Sequence, residues 1–277
     1  MIKGAFCVPR EPNHTNKPRL LEYFIEDFIE SFTKCPKPCF WTSLKFGVIC
    51  KMRDLIKEIK SLEVVNSQTA KDKKFLIEKE KNIEIYYAPF DYINLKAKIM
   101  IVGITPGLQQ MLQSYEAINQ GKSLKKVKDL SSFKGSMRTG LIRYLDELKI
   151  NDILKIKSCE SLFNKDNEYL HTTSLVKYPV FDKGKNYSGT NIFKKKILLD
   201  FIENNFLEEL KKLNNSIIVP LGNTVSSTIE YLNNKYNLKL SCFLKGFPHP
   251  SGANARKNIQ FKEYKSQMIK LLKNLNE

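Results

Sequence analysis

Two short apolar runs limit the possible folds more than any other feature of the chain. The segment KIMIVGITPG, Lys98 to Gly107, sets Ile99, Met100, Ile101 and Val102 in succession and then turns at glycine and proline. The segment SIIVPLG, Ser216 to Gly222, repeats the pattern with a glycine at its exit. A short apolar run closed by a turn fits a strand buried on both faces, as in a parallel sheet covered by helices on each side. Helical periodicity follows at 109–120 and 139–148, within 186–213, and at 225–232 and 261–275. Further strands are expected at 169–176 and 240–243. Alternating strands and helices predict an α/β fold, here a three-layer α/β/α sandwich with a short central parallel sheet. In such sheets sites form beyond the carboxyl ends of the strands.

The first part of the chain reads differently. An irregular lead broken by Pro9 and Pro12 precedes Leu20, Leu21, Phe24, Ile25, Phe28, Ile29 and Phe32, whose spacing predicts an amphipathic helix ended by CPKPCFW. A second helix is expected over 51–65, and the charged stretch 66–84 fits either an exposed helix or a loop. The expected organisation is a mainly helical extension over 1–85 and an α/β domain over 86–277. Forty-six Lys and Arg face 29 Asp and Glu, a net charge of +17. That excess favours a polyanionic partner, because each neutralised phosphate releases counterions. A lysine-rich coding bias would produce the same excess, so charge alone does not establish nucleic-acid binding. Cys35 and Cys39, with Cys50 beyond, are loosely spaced and have no histidine beside them, so free reduced thiols are expected throughout. The sequence shows no signal-peptide core and no run of about 18 apolar residues, which points to a cytoplasmic protein without a membrane span.

The chemistry-bearing residues fall in two loops. Gly103, Ile104, Thr105, Pro106 and Gly107 leave the first strand in a turn that glycine loosens and Pro106 stiffens. It is neither a P-loop nor a dinucleotide fingerprint. In the second loop, FPHPSGAN, Pro248 and Pro250 restrict the directions open to His249. A neutral imidazole there can donate a hydrogen bond to a developing anion. Ser251, Gly252 and backbone amides suit a phosphate, and Arg256 and Lys257 add positive charge. Among His14, His171 and His249, only the last sits in so constrained a setting. Taken singly, each loop also fits an ordinary connection.

Five segments in order carry a resemblance: GITPG at 103–107, FKGSMRTG at 133–140, TTSLVKYP at 172–179, VPLGNTV at 219–225 and HPSGAN at 249–254. Together they resemble the uracil-DNA glycosylase superfamily, from about residue 86 to the C-terminus. GITPG is closest to the Gly-x-Asn-Pro-Gly of its mismatch-specific and single-strand-selective branches. The resemblance implies a monofunctional DNA glycosylase that flips a base, hydrolyses its N-glycosidic bond and leaves an abasic site. It implies no metal or cofactor, DNA as partner (double- or single-stranded), and a monomer. By position it assigns His249 to the leaving base and Thr105 to the attacking water, with Asp91 in YYAPFDY as a candidate acid. It puts Ile104, Phe133, Ser174, Gln109 and Gln110 around the base, Phe133 as the stacking ring. It puts Gly107, Lys177, Asn223, Ser251, Gly252, Asn254, Arg256 and Lys257 on the DNA.

Two departures redirect the substrate. Thr105 stands where those branches position water with Asn, and Ser174 stands where uracil readers use Asn. The iron–sulfur cysteines of one branch are missing, as is a large apolar wedge after the histidine loop. Base loss in this superfamily is largely dissociative, so holding the departing anion supplies much of the catalysis, whereas a general base commonly contributes about 10²–10⁴-fold. Shorter side chains leave room for a larger pyrimidine and no longer demand uracil. The expected substrate is therefore a damaged or modified pyrimidine other than plain uracil, in DNA repair. A bulky modified cytosine of phage DNA would instead make the protein an antiviral defence factor. Two alternatives stay open: a catalytically inactive nucleic-acid-binding member of the same fold, and an unrelated nucleoside hydrolase.

Overall fold

The computed structural model describes residues 52–133, 135–164 and 168–275. Among these lie the strands β1 (Leu76–Glu80), β2 (Ile83–Tyr86), β3 (Ile99–Gly103), β4 (Leu170–Ser174), β5 (Val180–Asp182), β6 (Lys185–Asn186), β7 (Ile217–Pro220) and β8 (Cys242–Phe243). They form two four-stranded sheets, ordered β4-β3-β7-β8 and β1-β2-β5-β6. Every pairing in the first is parallel: Ile99 to Gly103 run beside Leu170 to Ser174 on one side, and Ile99 to Val102 run beside Ile217 to Pro220 on the other.

The two apolar runs are the central strands, and each residue of β3 and β7 is buried. Strand alternation divides their side chains between two cores. Met100, Val102 and Ile218 join one core with Met111 and Tyr115 of helix Leu108–Asn119 and with Val225, Ile229 and Leu232 of helix Asn223–Tyr236. Ile99, Ile101, Ile217 and Val219 join the other with Leu141 and Tyr144 of helix Ser136–Glu147 and with Phe261 and Met268 of helix Lys257–Lys273. The result is the three-layer arrangement read from the sequence. Each fully buried Ile or Val contributes about 1.5–3 kcal/mol by leaving water.

The larger of the chain's two units is Lys51–Glu277. The larger unit therefore begins well before residue 86, where the composition changes. Its early part holds a helix at 52–60, the short helix Ser67–Ala70 and the β1–β2 hairpin. The charged stretch 66–84 is thus neither a long helix nor a loop. Burial of Phe75, Ile83 and Ile85 against the first core holds it, while its lysines and glutamates face water. Pairing of β2 with β5 carries this hairpin into the antiparallel sheet. The helix anticipated at 20–32, His14, Cys7, Cys35, Cys39 and Cys50 lie outside the described residues. Cys159 and Cys242 are buried free thiols. No helix among the described residues is long and apolar enough to cross a membrane.

A polar cluster is sealed beside β4. His171 Nδ1 accepts the Asn94 N–H at 3.3 Å, which leaves the ring proton on Nε2, 2.7 Å from Glu209 Oε1. Both side chains are almost wholly buried. Burial, aided by the nearby Lys128 ammonium, pushes His171 below its ordinary pKa, so the imidazole is neutral at pH 7. Burial opposes the Glu209 carboxylate, but the His171 N–H and Lys128 outweigh it and keep it ionised. The unfolded chain takes up a proton on His171 below about pH 6.5 that the folded chain refuses. Its contribution is complete above that pH and disappears as pH falls through the depressed value. Thermal unfolding between pH 4 and pH 7 is expected to show Tm rising with pH, with a shallower slope in His171→Gln. Removing a partner from this pair, as in His171→Ala, is expected to cost about 3–5 kcal/mol in denaturant unfolding.

Candidate active site

The strands β4, β3 and β7 stop along one rim, and the loops that leave them enclose a cavity of about 840 Å³. Its wall takes Thr172, Thr173 and Ser174 from β4, Gly103 to Pro106 from the exit of β3, and Leu221 to Thr224 from the exit of β7. His249, Ser251, Ala253 and Asn254 close it from the loop after β8, and Lys128, Ser131, Ser132 and Phe133 close it beside β4. Helices Leu108–Asn119 and Asn223–Tyr236 both begin at this rim. Their positive dipole ends make the rim favourable to negative charge.

His249 is half-buried, and burial lowers its pKa from the ordinary value. Its Nδ1 faces the Ser251 hydroxyl at 2.9 Å and the Ser251 N–H at 3.4 Å. A nitrogen that receives a backbone N–H is an acceptor, so the neutral ring carries its proton on Nε2. The loop is stitched from behind. Asn254 Nδ2 donates to His249 O at 3.2 Å, and Lys257 Nζ donates to the carbonyls of Pro250 and Ser251 at 3.3 and 3.0 Å. Gly222 lies under the histidine with φ +91°, and a Cβ there would stand 3.2 Å from His249 Cβ. The demanding glycine is therefore at the exit of β7. Gly103 and Gly107, singled out from the sequence, do not adopt positive φ.

Thr105 lines the cavity, yet its hydroxyl donates to Tyr178 O at 2.8 Å and accepts from Val180 N at 3.1 Å. One lone pair remains, so Thr105 can accept a hydrogen bond from water but has no proton left to give. Asp91 stands outside the lining. It accepts from the hydroxyls of Tyr87 and Tyr178 at 3.1 and 2.6 Å and pairs with Lys177 Nζ at 3.7 Å. Lys177 does line the cavity, with Asp91 behind it. Ile104, Ser174, Gln109, Gln110 and Asn223 are also in the wall, but Gln110 is committed to Gly107 N and Ser131 O at 3.0 Å each. Phe133 lines the cavity with a positive φ of 36°, a strained conformation for an aromatic residue. Arg138 holds it there through Phe133 O at 2.6 Å and Ser132 O at 2.9 Å. Gly107, Gly252, Arg256 and Lys257 lie outside the lining, and Gly252 and Arg256 are exposed.

The model of the uracil DNA glycosylase superfamily matches residues 90–273. The chain belongs to that superfamily. It is also 37% identical over 206 residues to uncharacterized protein YoxB of Bacillus subtilis (strain 168), an alignment covering 70% of this chain and 80% of that protein. Membership in the uracil DNA glycosylase superfamily carries a DNA-glycosylase-type function, and proteins of this fold bind DNA.

Lys128, Ser131, Ser132, Thr172 and Thr173 reach the superfamily cavity without standing in the residues singled out from the sequence. A signal for two of them exists. In helix Leu124–Ser131 the inward stripe at three- and four-residue steps runs Leu124, Val127, Lys128, Ser131. A lysine on an apolar stripe is the anomaly, hidden here by the many other lysines. Two glycines test the histidine loop. Gly222→Ala is expected to cost about 1–3 kcal/mol in denaturant unfolding. Gly252→Ala, with open space around its added methyl, is expected to leave the midpoint unchanged.

Proposed function

We propose that the protein is a monofunctional DNA glycosylase that removes a modified or damaged pyrimidine other than plain uracil and leaves an abasic site. The observation that carries the reading is a neutral His249 whose Nε2–H is free to donate, at a cavity whose described lining contains no carboxylate. A site with a fixed donor and no strong base suits a reaction in which the base leaves as an anion before water adds. Thr105, as an acceptor only, orients that water without deprotonating it. Phe133 stacks on the flipped base, and Ser174 replaces a longer reader with a short hydroxyl, which leaves room at the pyrimidine edge. Asp91 acts on Lys177, which meets a DNA phosphate or the base. Asn223 and Ser251 meet phosphate at the rim, with Arg256 and Lys257 adding charge outside it. A modified cytosine of phage DNA fits this reading, with antiviral defence as the setting.

The test is strand scission at abasic sites on labelled DNA carrying uracil, a thymine mismatch, hydroxymethylcytosine or glucosylated hydroxymethylcytosine. At least one modified substrate is expected to be cut at a site the protein has emptied. His249→Ala is expected to slow release about 10²–10³-fold with DNA binding retained. Because burial depresses the His249 pKa, the rate is expected to hold as pH falls past 6.5 and to change only below it. No scission on any substrate, with tight DNA binding, would make the protein a binding member of the fold. Hydrolysis of free nucleosides would make it a nucleoside hydrolase.

A further inference from the structure

The end of the cavity beside β4 holds polar groups that the reaction above does not use. Lys128 is 5% exposed and lines the wall. Its Nζ donates to Tyr92 O at 2.7 Å, and the other two N–H groups meet no acceptor among the described residues. In the same wall, Ser131 and Thr173 are 1% and 7% exposed, and their hydroxyl oxygens have no hydrogen-bond partner among the described residues. By contrast, Ser132 and Thr172 are paired with each other at 2.9 Å. Three buried side chains with unanswered polar groups would each destabilise a purely structural wall. Their clustering at one end of a cavity points to a ligand group.

The chemistry of that group follows from the donors. An ammonium only donates, and a hydroxyl donates or accepts, so the three together suit a hydroxyl or carbonyl oxygen, which the ammonium can reach only as an acceptor. Their place follows from the sheet order. Thr173 stands at the end of β4, and His249 stands over Gly222 at the end of β7, with β3 between them. The two strand ends are about 10 Å apart at ordinary strand spacing. A flipped pyrimidine held at its glycosidic side by His249 therefore presents its far edge to Lys128. We propose that Lys128, with Ser131 and Thr173, reads that far edge and selects bases bearing an oxygen acceptor on a substituent at position 5, so that unmodified cytosine and plain uracil are both refused. This assignment rests on the glycosylase reading.

The ammonium is available at neutral pH. Burial pushes Lys128 down to about 8; Glu209, Asp91 and Asp129 oppose that fall and Lys177 adds to it. His171 packs beside the same group as a neutral ring, and Arg138 borders the small cavity that Lys128 shares with Asp129 and His171.

The experiment compares single-turnover release of cytosine, 5-hydroxymethylcytosine, uracil and 5-hydroxymethyluracil from one DNA sequence by wild type, Lys128→Met and Lys128→Arg. Wild type is expected to release the two 5-hydroxymethyl bases and spare cytosine and uracil. Lys128→Met is expected to lose about 10–100-fold on the 5-hydroxymethyl bases, with affinity for abasic-site DNA unchanged and partial recovery in Lys128→Arg. Wild-type release is expected to fall as pH rises through about 8, a limb absent from Lys128→Met. A folded Lys128→Met with wild-type rates overturns the proposal, as does wild type that releases cytosine as fast as its hydroxymethyl form. If Lys128→Met does not fold, the wild-type base series and its alkaline limb decide. Wild type that releases no base from any substrate overturns the glycosylase reading itself, and this assignment with it.

Discussion

A parallel sheet that is dry on both faces can meet a ligand only beyond its strand ends. In this protein the constraint is set by β3, whose five residues are all buried and whose side chains are shared between two cores. Its parallel pairing with β4 and β7 brings three carboxyl ends to one rim. The same direction of travel starts helices Leu108–Asn119 and Asn223–Tyr236 at that rim, with their positive ends toward the cavity. The site's position and its preference for negative charge both follow from how the sheet is packed.

Electrostatics at the rim run in one direction. The described lining holds two lysines and a neutral histidine and no carboxylate. The acids that balance the lysines stand behind the wall, with Asp91 at Lys177 and Glu209 near Lys128 and bonded to His171. Such backing keeps ammonium groups charged in a low-dielectric setting without placing a competing anion where a ligand sits. It also separates two jobs. Asp91 pairs with Lys177 and Glu209 favours the charged form of Lys128, while His249 and the hydroxyl-rich β4 end face the cavity.

Much of this was legible in the chain, because buried parallel strands and proline-framed loops leave local marks. The run at 98–107 and the FPHPSGAN loop both proved to be where strand ends meet the cavity. Helix limits were close, since apolar periodicity is local. The β1–β2 hairpin was hidden because its exposed face is as charged as a loop, while Ile83, Ile85 and Tyr86, with Phe75 just before it, tie it to the core. Thr105 and Asp91 show a different limit. Their residue types suit water handling, but hydrogen bonds to Tyr178, Val180 and Tyr87 and an ion pair with Lys177 decide what they are free to do.

The sequence by itself determined the three-layer α/β/α class, the rim that carries the site and the constrained histidine, because these depend on short-range periodicity and on the fixed dihedrals of proline. Tertiary structure decided which lysine of a lysine-rich chain enters the cavity and which hydroxyls remain unpaired. Those properties depend on partners tens of residues away, so they exist only once the strands lie side by side.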